Sequence, residues 1–449
     1  MFSGELSSQA FHGDIFGALK ENDSRVYRLI TKEYERLQSK LQLIAAENHC
    51  SRAVLAALGS VIQNKTTEGF PGARYHGGCE VVDEVERLAA ARAKEAFGAK
   101  YANVQPHSGS QANQICMAAI LEVGDKVLSH GLEQGGHPSH GGAGSLSGKF
   151  FNIKSYFVDK TGFLLDYDAI REQAIKVRPK LIMCGASAYS REIDFKRFRK
   201  IADEVGSYLL ADISHIAGLV MAGAHPSCLD YAHFTTTSTY KAGGPRGGLI
   251  LMGKDYERSI KVAGRDMPLW KHIQATTFPG VQGTPYFNNM AAKAVFFKET
   301  LSDEYKTRQF KVIENAKSLA GNLSGLGYDV LTGGTDNHMV LINVESLREA
   351  LTGTIAQRCL EDCNIIVDAM KLPYDKKPAL ITSGIRLGTP IVTRNGMGLA
   401  EIKSISVLID IVLKDVRVKS DSDYEIDKSL RDEVRDKVKQ LCGRFPMRC

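Results

Sequence analysis

The chain has 449 residues, 43% hydrophobic and 24% charged, which suits two or three packed globular parts and excludes a disordered or fibrous protein. A net charge of +6 is small for this length and does not call for nucleic acid. No run approaches the ~18 apolar residues of a membrane span, and nine scattered cysteines without a CxxC pair read as reduced thiols of a cytoplasmic protein, with no disulfide or metal framework.

In chain order, "MFSGELSSQAFHGDIF" lacks the basic and apolar blocks of a secretory signal. Helical periodicity runs from about Asp23 to Leu43 and precedes the loop "AAENHCSR". "DEVERLAAARAKEAFGAK" predicts an amphipathic helix capped by Asp83, with Val85, Leu88, Ala89, Ala96 and Phe97 on one face and Gly98 as its stop. Short apolar runs then read as buried strands: "YANVQ", "KVLSH", "LIMCGAS", "YLLADIS", "HFTTTST" and "GGLILMG". Helical segments such as "SQANQICMAAILEV" and "DFKRFRKIADEVG" lie between several of them. The pattern predicts an α/β fold with a mainly parallel sheet. After "FPGVQGTP" come two long helical segments, and "HMVLINVES" and "SGIRLGTP" read as strands of an α+β part. The division expected is an N-terminal helical arm over 1–55, a large domain over 56–290 and a smaller one over 291–449. The C-terminal "RDKVKQLCGRFPMRC" reads as a solvated helix face, with an acidic partner as the alternative.

In a parallel sheet, functional groups gather at the carboxyl ends of strands. "HSGSQAN" sets Ser108, Gly109 and Ser110 between a strand and a helix, where small residues and a helix N-terminus suit a phosphate, although a plain turn reads the same way. "YLLADISH" ends a very apolar strand with Asp212, and a carboxylate there is costly unless something positive meets it. Twenty-nine residues on, Lys241 follows hydroxyls and precedes glycines in "TTTSTYKAGGPRGG". The ordered set fits pyridoxal 5'-phosphate (PLP): serines and glycines for the phosphate, an acid for the ring nitrogen, and a lysine for the covalent bond.

The segments "ANVQPHSGSQAN", "GGHPSHG", "GASAYSR", "ADISHIAGL", "GPRGGLIL", "FPGVQG", "GGTDNH" and "TSGIRLGTP" resemble serine hydroxymethyltransferase, in the same order, over nearly the whole chain. The resemblance implies the fold-type I, aspartate aminotransferase-like architecture: a large domain with a mainly parallel seven-stranded sheet and a smaller α+β domain. It also implies a homodimer or tetramer whose active sites are shared between chains. It gives the phosphate to Ser108, Gly109 and Ser110, with Gly283 reaching in from the partner chain. It stacks His137 on the ring and sets Ser187 and His215 on its hydroxyl side. Asp212 pairs with the ring nitrogen, Lys241 carries the cofactor, and Arg386 clamps the substrate carboxylate. Glu68 of the neighbouring chain handles a proton. In isolation, His137 and His140 read as loop histidines and Arg386 as a strand-end charge.

Departures from the family pattern gather around the substrate. Ala46 stands for a serine, Thr66 and His76 for tyrosines while Tyr75 remains, and Tyr240 for the histidine before the lysine. The loop after Lys241 is one residue shorter and lacks an arginine. On the folate side Leu132, Gly135 and Gly136 persist, Met370 replaces an asparagine, and "SPF" becomes "PAL". A thioether cannot make an amide's hydrogen bonds, each worth roughly 1–3 kcal/mol if its partner stays buried. The expectation is a PLP-dependent hydroxymethyltransferase or aldolase that makes or breaks the Cα–Cβ bond of a small β-hydroxy amino acid, with Tyr75, His76 and Tyr240 beside the substrate. Tetrahydrofolate is the uncertain acceptor. A folate-independent aldolase or transaldolase acting on an α-substituted or bulky β-hydroxy amino acid in specialised metabolism, a PLP-dependent amino acid racemase, and a non-catalytic regulatory or RNA-binding relative are the alternatives.

Overall fold

The computed structural model describes residues 13–378 and 380–448. Most of the segment read for a secretory signal, Ala379 of "PAL" and the terminal Cys449 therefore lie outside the described residues.

A seven-stranded sheet organises the larger body. Its strands are β1 (Tyr101–Asn103), β2 (Lys126–His130), β3 (Asn152–Tyr156), β4 (Leu181–Cys184), β5 (Tyr208–Asp212), β6 (Phe234–Ser238) and β7 (Gly248–Met252), in the order 1-7-6-5-4-2-3. β6, β5, β4, β2 and β3 pair in parallel, whereas β7 runs antiparallel to both neighbours. Every residue of β4, β6 and β7 is buried, the signature of strands covered on both faces. The β3 strand escaped the sequence reading because its residues alternate between half-buried and exposed before Tyr156.

The helix expected after "GGCEVV" is α1 (Glu80–Phe97), and Gly98 ends it in the left-handed conformation at φ 68°. Asp83 is not its cap. The helix begins at Glu80, so Asp83 lies in the first turn, where it accepts from Arg74 Nε at 2.8 Å and from the Gly72 N–H at 2.7 Å. Leu88 is also off the buried face, which consists of Val82, Asp83, Glu86, Ala89, Ala93 and Phe97. The stretch from Asp23 is helical only to Ser39; Leu41 and Gln42 then pair in parallel with Ile365 and Ile366.

A second core forms around four antiparallel strands: β8 (Asp329–Val330), β9 (Met339–Asn343), β10 (Asp368–Met370) and β11 (Gly384–Gly388), ordered 8-9-11-10. Leu41 and Leu43 belong to this core. The helix Asp303–Gly325 carries Val312 and Ile313 into the first core and Ala316, Leu319 and Leu323 into the second. The C-terminal helix, Lys428–Arg444, is not merely a solvated face: Val434, Val438, Leu441 and Cys442 bury against the second core. No described helix is long and apolar enough to cross a membrane, and none of the eight described cysteines is in a disulfide.

Candidate active site

The carboxyl ends of β5 and β6 and the start of the helix α2 (Gly109–Ile120) enclose a cavity of about 220 Å³. Ser108, Gly109, Ser110, His137, Ser187, Asp212, His215, Tyr240 and Lys241 all line it, together with Ser214, Ser238 and Arg246. Residues spread over more than 130 positions of sequence thus meet at one point, because parallel strands deliver their C-terminal loops to a single edge.

Ser108 caps α2, its Oγ accepting from the Gln111 N–H at 3.1 Å. The N–H groups of Gly109 and Ser110 lie in the first turn, where an α-helix offers no intrahelical acceptor. A Cβ on Gly109 would stand 3.1 Å from Ser238 Cβ, so glycine lets the helix start pack tightly against β6.

Asp212 is buried at the end of β5, and both its oxygens are occupied. His140 Nε2 donates to Oδ2 at 3.0 Å and Asn113 Nδ2 at 2.8 Å. The Ser214 N–H and hydroxyl donate to Oδ1 at 3.0 and 2.5 Å. Burial alone would raise the carboxyl's pKa, but the donations from His140, Ser214 and Asn113 outweigh it and hold Asp212 well below the usual carboxylate range. The backbone beneath needs glycine: a Cβ on Gly185, at φ 122°, would lie 2.1 Å from the Asp212 carbonyl oxygen.

Lys241 sits on the turn Thr239–Ala242 that follows β6. Its Nζ donates to Ser238 Oγ at 3.2 Å and lies 5.0 Å from the Tyr240 ring, whose face also receives the Arg246 guanidinium at 4.4 Å. His137 Nδ1 is 2.7 Å from Ser139 Oγ, and burial pulls the His137 pKa down to about 4. His215 stacks on His338 at 5.7 Å, and its buried Nδ1 has no hydrogen-bond partner among the described residues. Burial, then Lys241 and Arg386, push its pKa well below the ordinary histidine value. Arg386, on β11, is not among the residues that line the cavity but bonds to one of them: Nη1 donates to the Ser187 carbonyl at 2.5 Å, while Nη2 and Nε donate to Asp368 Oδ2 at 2.7 and 3.3 Å.

Glu68, Tyr75, His76 and Gly283 do not line this cavity. Glu68 and Gly283 are neighbours, since a Cβ on Gly283 would lie 3.2 Å from Glu68 Oε1. Tyr75 is 74% exposed, its ring edge against Phe278 at 5.3 Å. Thr66 Oγ1 lies 3.2 Å from Thr284 Oγ1 on the same side of the molecule. Met370 packs against the apolar cluster of Ala188, Leu331, Leu341 and Leu372.

The residues missed by sequence reasoning are Asn113, Ser214, Ser238, Arg246, His338 and Asp368. For Asn113 a signal existed, because it lies three positions after Ser110, on one helix face with it. Asp368 was legible only through the register of β10 with β11, which sets it opposite Arg386.

An ionised buried acid, a lysine amine, unpaired helix N–H groups and a buried imidazole nitrogen without a partner, all in one cavity, are a donor set that fits PLP. A family model described as serine hydroxymethyltransferase matches residues 19–409, and the chain belongs to that family. It is a family of fold-type I, PLP-dependent, typically oligomeric enzymes with small substrates, and the seven-stranded, mainly parallel sheet agrees with it.

Proposed function

From that membership we propose that the protein is a PLP-dependent enzyme that makes or breaks the Cα–Cβ bond of a small β-hydroxy amino acid. Serine–glycine interconversion with tetrahydrofolate is the leading reaction. Bound PLP supplies an electron sink for the bonds at the amino acid's Cα. The observation that carries the reading is that an ionised Asp212 and the Lys241 amine line one cavity.

Asp212 would hold a proton on the cofactor's ring nitrogen, and its charge for that task is maintained by His140, Ser214 and Asn113. Lys241 would be the amine that holds the cofactor's carbonyl carbon, and its Nζ is also the group placed to give or take a proton near a bound amino acid's Cα. Ser238 Oγ and the Tyr240 face hold that Nζ in place. Ser108, Gly109 and Ser110 bind the phosphate, His137 covers the ring, and His215 and Ser187 meet its hydroxyl. Arg386 binds the substrate carboxylate.

Glu68, Tyr75, His76 and Gly283 serve the site of a second copy in a homodimer or tetramer. Their distance from this chain's own cavity and the exposure of Tyr75 support that assignment. Division into an arm over 1–55, a large domain over 56–290 and a small domain over 291–449, and a cytoplasmic setting, complete the reading.

A folate-independent aldolase or transaldolase is the second reading. Met370 favours it, because a thioether packed among Ala188, Leu341 and Leu372 offers a pterin no amide. Mixing the PLP-loaded protein with glycine or L-serine, with and without tetrahydrofolate, separates the two. A visible spectral change and product that require tetrahydrofolate support the first reading. An aldehyde product that ignores it supports the second, and no change with either amino acid would refute the first reading and leave an α-substituted or bulkier substrate for the second.

A further inference from the structure

Lys293 is 1% exposed, in the middle of α3 (Phe287–Thr300), and it plays no part in the chemistry above. Its ammonium donates to the carbonyls of Val104 at 2.6 Å, Gly248 at 2.7 Å and Pro106 at 3.3 Å. Val104 and Pro106 belong to the segment running from β1 into Ser108. Gly248 opens β7, hydrogen-bonds the same segment from its N–H to the Pro106 carbonyl at 2.8 Å, and passes so near that a Cβ on it would lie 2.1 Å from the Ser108 carbonyl oxygen. The same helix grips the other side of the segment: Tyr286, at its N-cap, stacks on His107 with ring centres 4.3 Å apart.

Three carbonyls converging on one buried ammonium would otherwise point their negative ends at each other beneath the phosphate-binding turn. Burial pulls the Lys293 pKa down to about 7, and Glu86 opposes that shift. The energetic logic is that of an outer-shell support: it touches no ligand but fixes groups that do.

We propose that α3 is a clamp on the phosphate-binding turn, with Lys293 as its positioning residue, and that this clamp makes the protein prefer phosphorylated pyridoxal over pyridoxal itself. The proposal rests on the reading of Ser108, Gly109 and Ser110 as the phosphate site.

The test measures dissociation constants of the full-length protein for PLP and for pyridoxal, by absorbance titration of the cofactor-stripped chain. Lys293→Met is expected to weaken PLP about ten- to a hundredfold and to leave pyridoxal within about twofold. Lys293→Gln, which keeps donors without the charge, is expected to fall between. Should Lys293→Met fail to fold, Tyr286→Ala loosens the other side of the clamp and is expected to show the same phosphate-selective loss. Equal loss for both ligands, or none for PLP, would overturn the clamp. A wild-type chain that binds PLP and pyridoxal equally would overturn it too, and that outcome alone would also overturn the phosphate reading.

Discussion

Arg386, assigned above to the substrate carboxylate, already has a carboxylate beside it. Asp368 Oδ2 accepts from Nη2 at 2.7 Å and Nε at 3.3 Å, and Ser187's carbonyl takes one N–H of Nη1, which leaves one N–H on each terminal nitrogen for a substrate. A second carboxylate on that fork would sit about 5 Å from Asp368, and two like charges at that distance repel by roughly 3 kcal/mol at an effective dielectric of about 20. Asp368 keeps 28% of its side chain exposed, so solvent and salt reduce the repulsion to about 1–2 kcal/mol. Asp368→Asn removes the charge but keeps an oxygen for Nη2 and Nε. Glycine should therefore bind the PLP-loaded variant about tenfold more tightly, since ~1.4 kcal/mol is a factor of ten. Calorimetric titration of glycine into both proteins at low ionic strength reads this directly, and the gap should shrink with added salt. Weaker binding in the variant would refute the reasoning: Asp368 would then act chiefly to hold the guanidinium in place.

Lys241→Ala should retain PLP non-covalently and lose turnover on the order of 10²–10⁴-fold; after borohydride reduction, mass spectrometry should find the cofactor attached to the wild type and not to the variant. Arg74→Met removes the buried guanidinium that meets Asp83 at 2.8 Å and Glu86 at 2.5 Å and leaves them only Arg87, the Gly72 N–H and Gln105, so urea unfolding should show a loss of about 3 kcal/mol. Burial holds His49 and His130 near pKa 4 and His338 near 3, below the ordinary value. All three are neutral when folded and take up protons when unfolded. Their contribution is thus complete above pH ~6.5 and is lost as pH falls toward the folded values, at up to ~1.4 kcal/mol per pH unit per histidine. The urea midpoint should drop clearly from pH 7.5 to pH 5, and an unchanged midpoint would count against buried neutral histidines. Gly185→Ala, with its Cβ 2.1 Å from the Asp212 carbonyl oxygen, should displace the Asp212 backbone and lower both thermal stability and PLP affinity.

The sequence by itself determined the family and the α/β character and singled out Asp212 and Lys241, which the fold brings to one cavity, because apolar runs, glycine turns and the order of serine loop, Asp212 and Lys241 are local signals. Six strands were legible from their apolar content, but β3 was not, since only its last residue is fully buried. Asp83 looked like a cap because its residue type suits one, yet Arg74 and the Gly72 N–H, nine and eleven residues away, claimed it first. Only the tertiary structure could decide contacts that depend on register and on chain segments far apart. His140 and Asn113 converge on Asp212 across 72 and 99 residues. Asp368 faces Arg386 because β10 pairs with β11 in one register, and a one-residue slip would turn it to the other face. Lys293 looks in sequence like any lysine on an amphipathic helix; three carbonyls, two from the segment after β1 and one from β7, make it a buried support. Local chemistry fixes which groups are present. Packing sets which of them lose water and meet, and charges interact strongly only where water has been excluded.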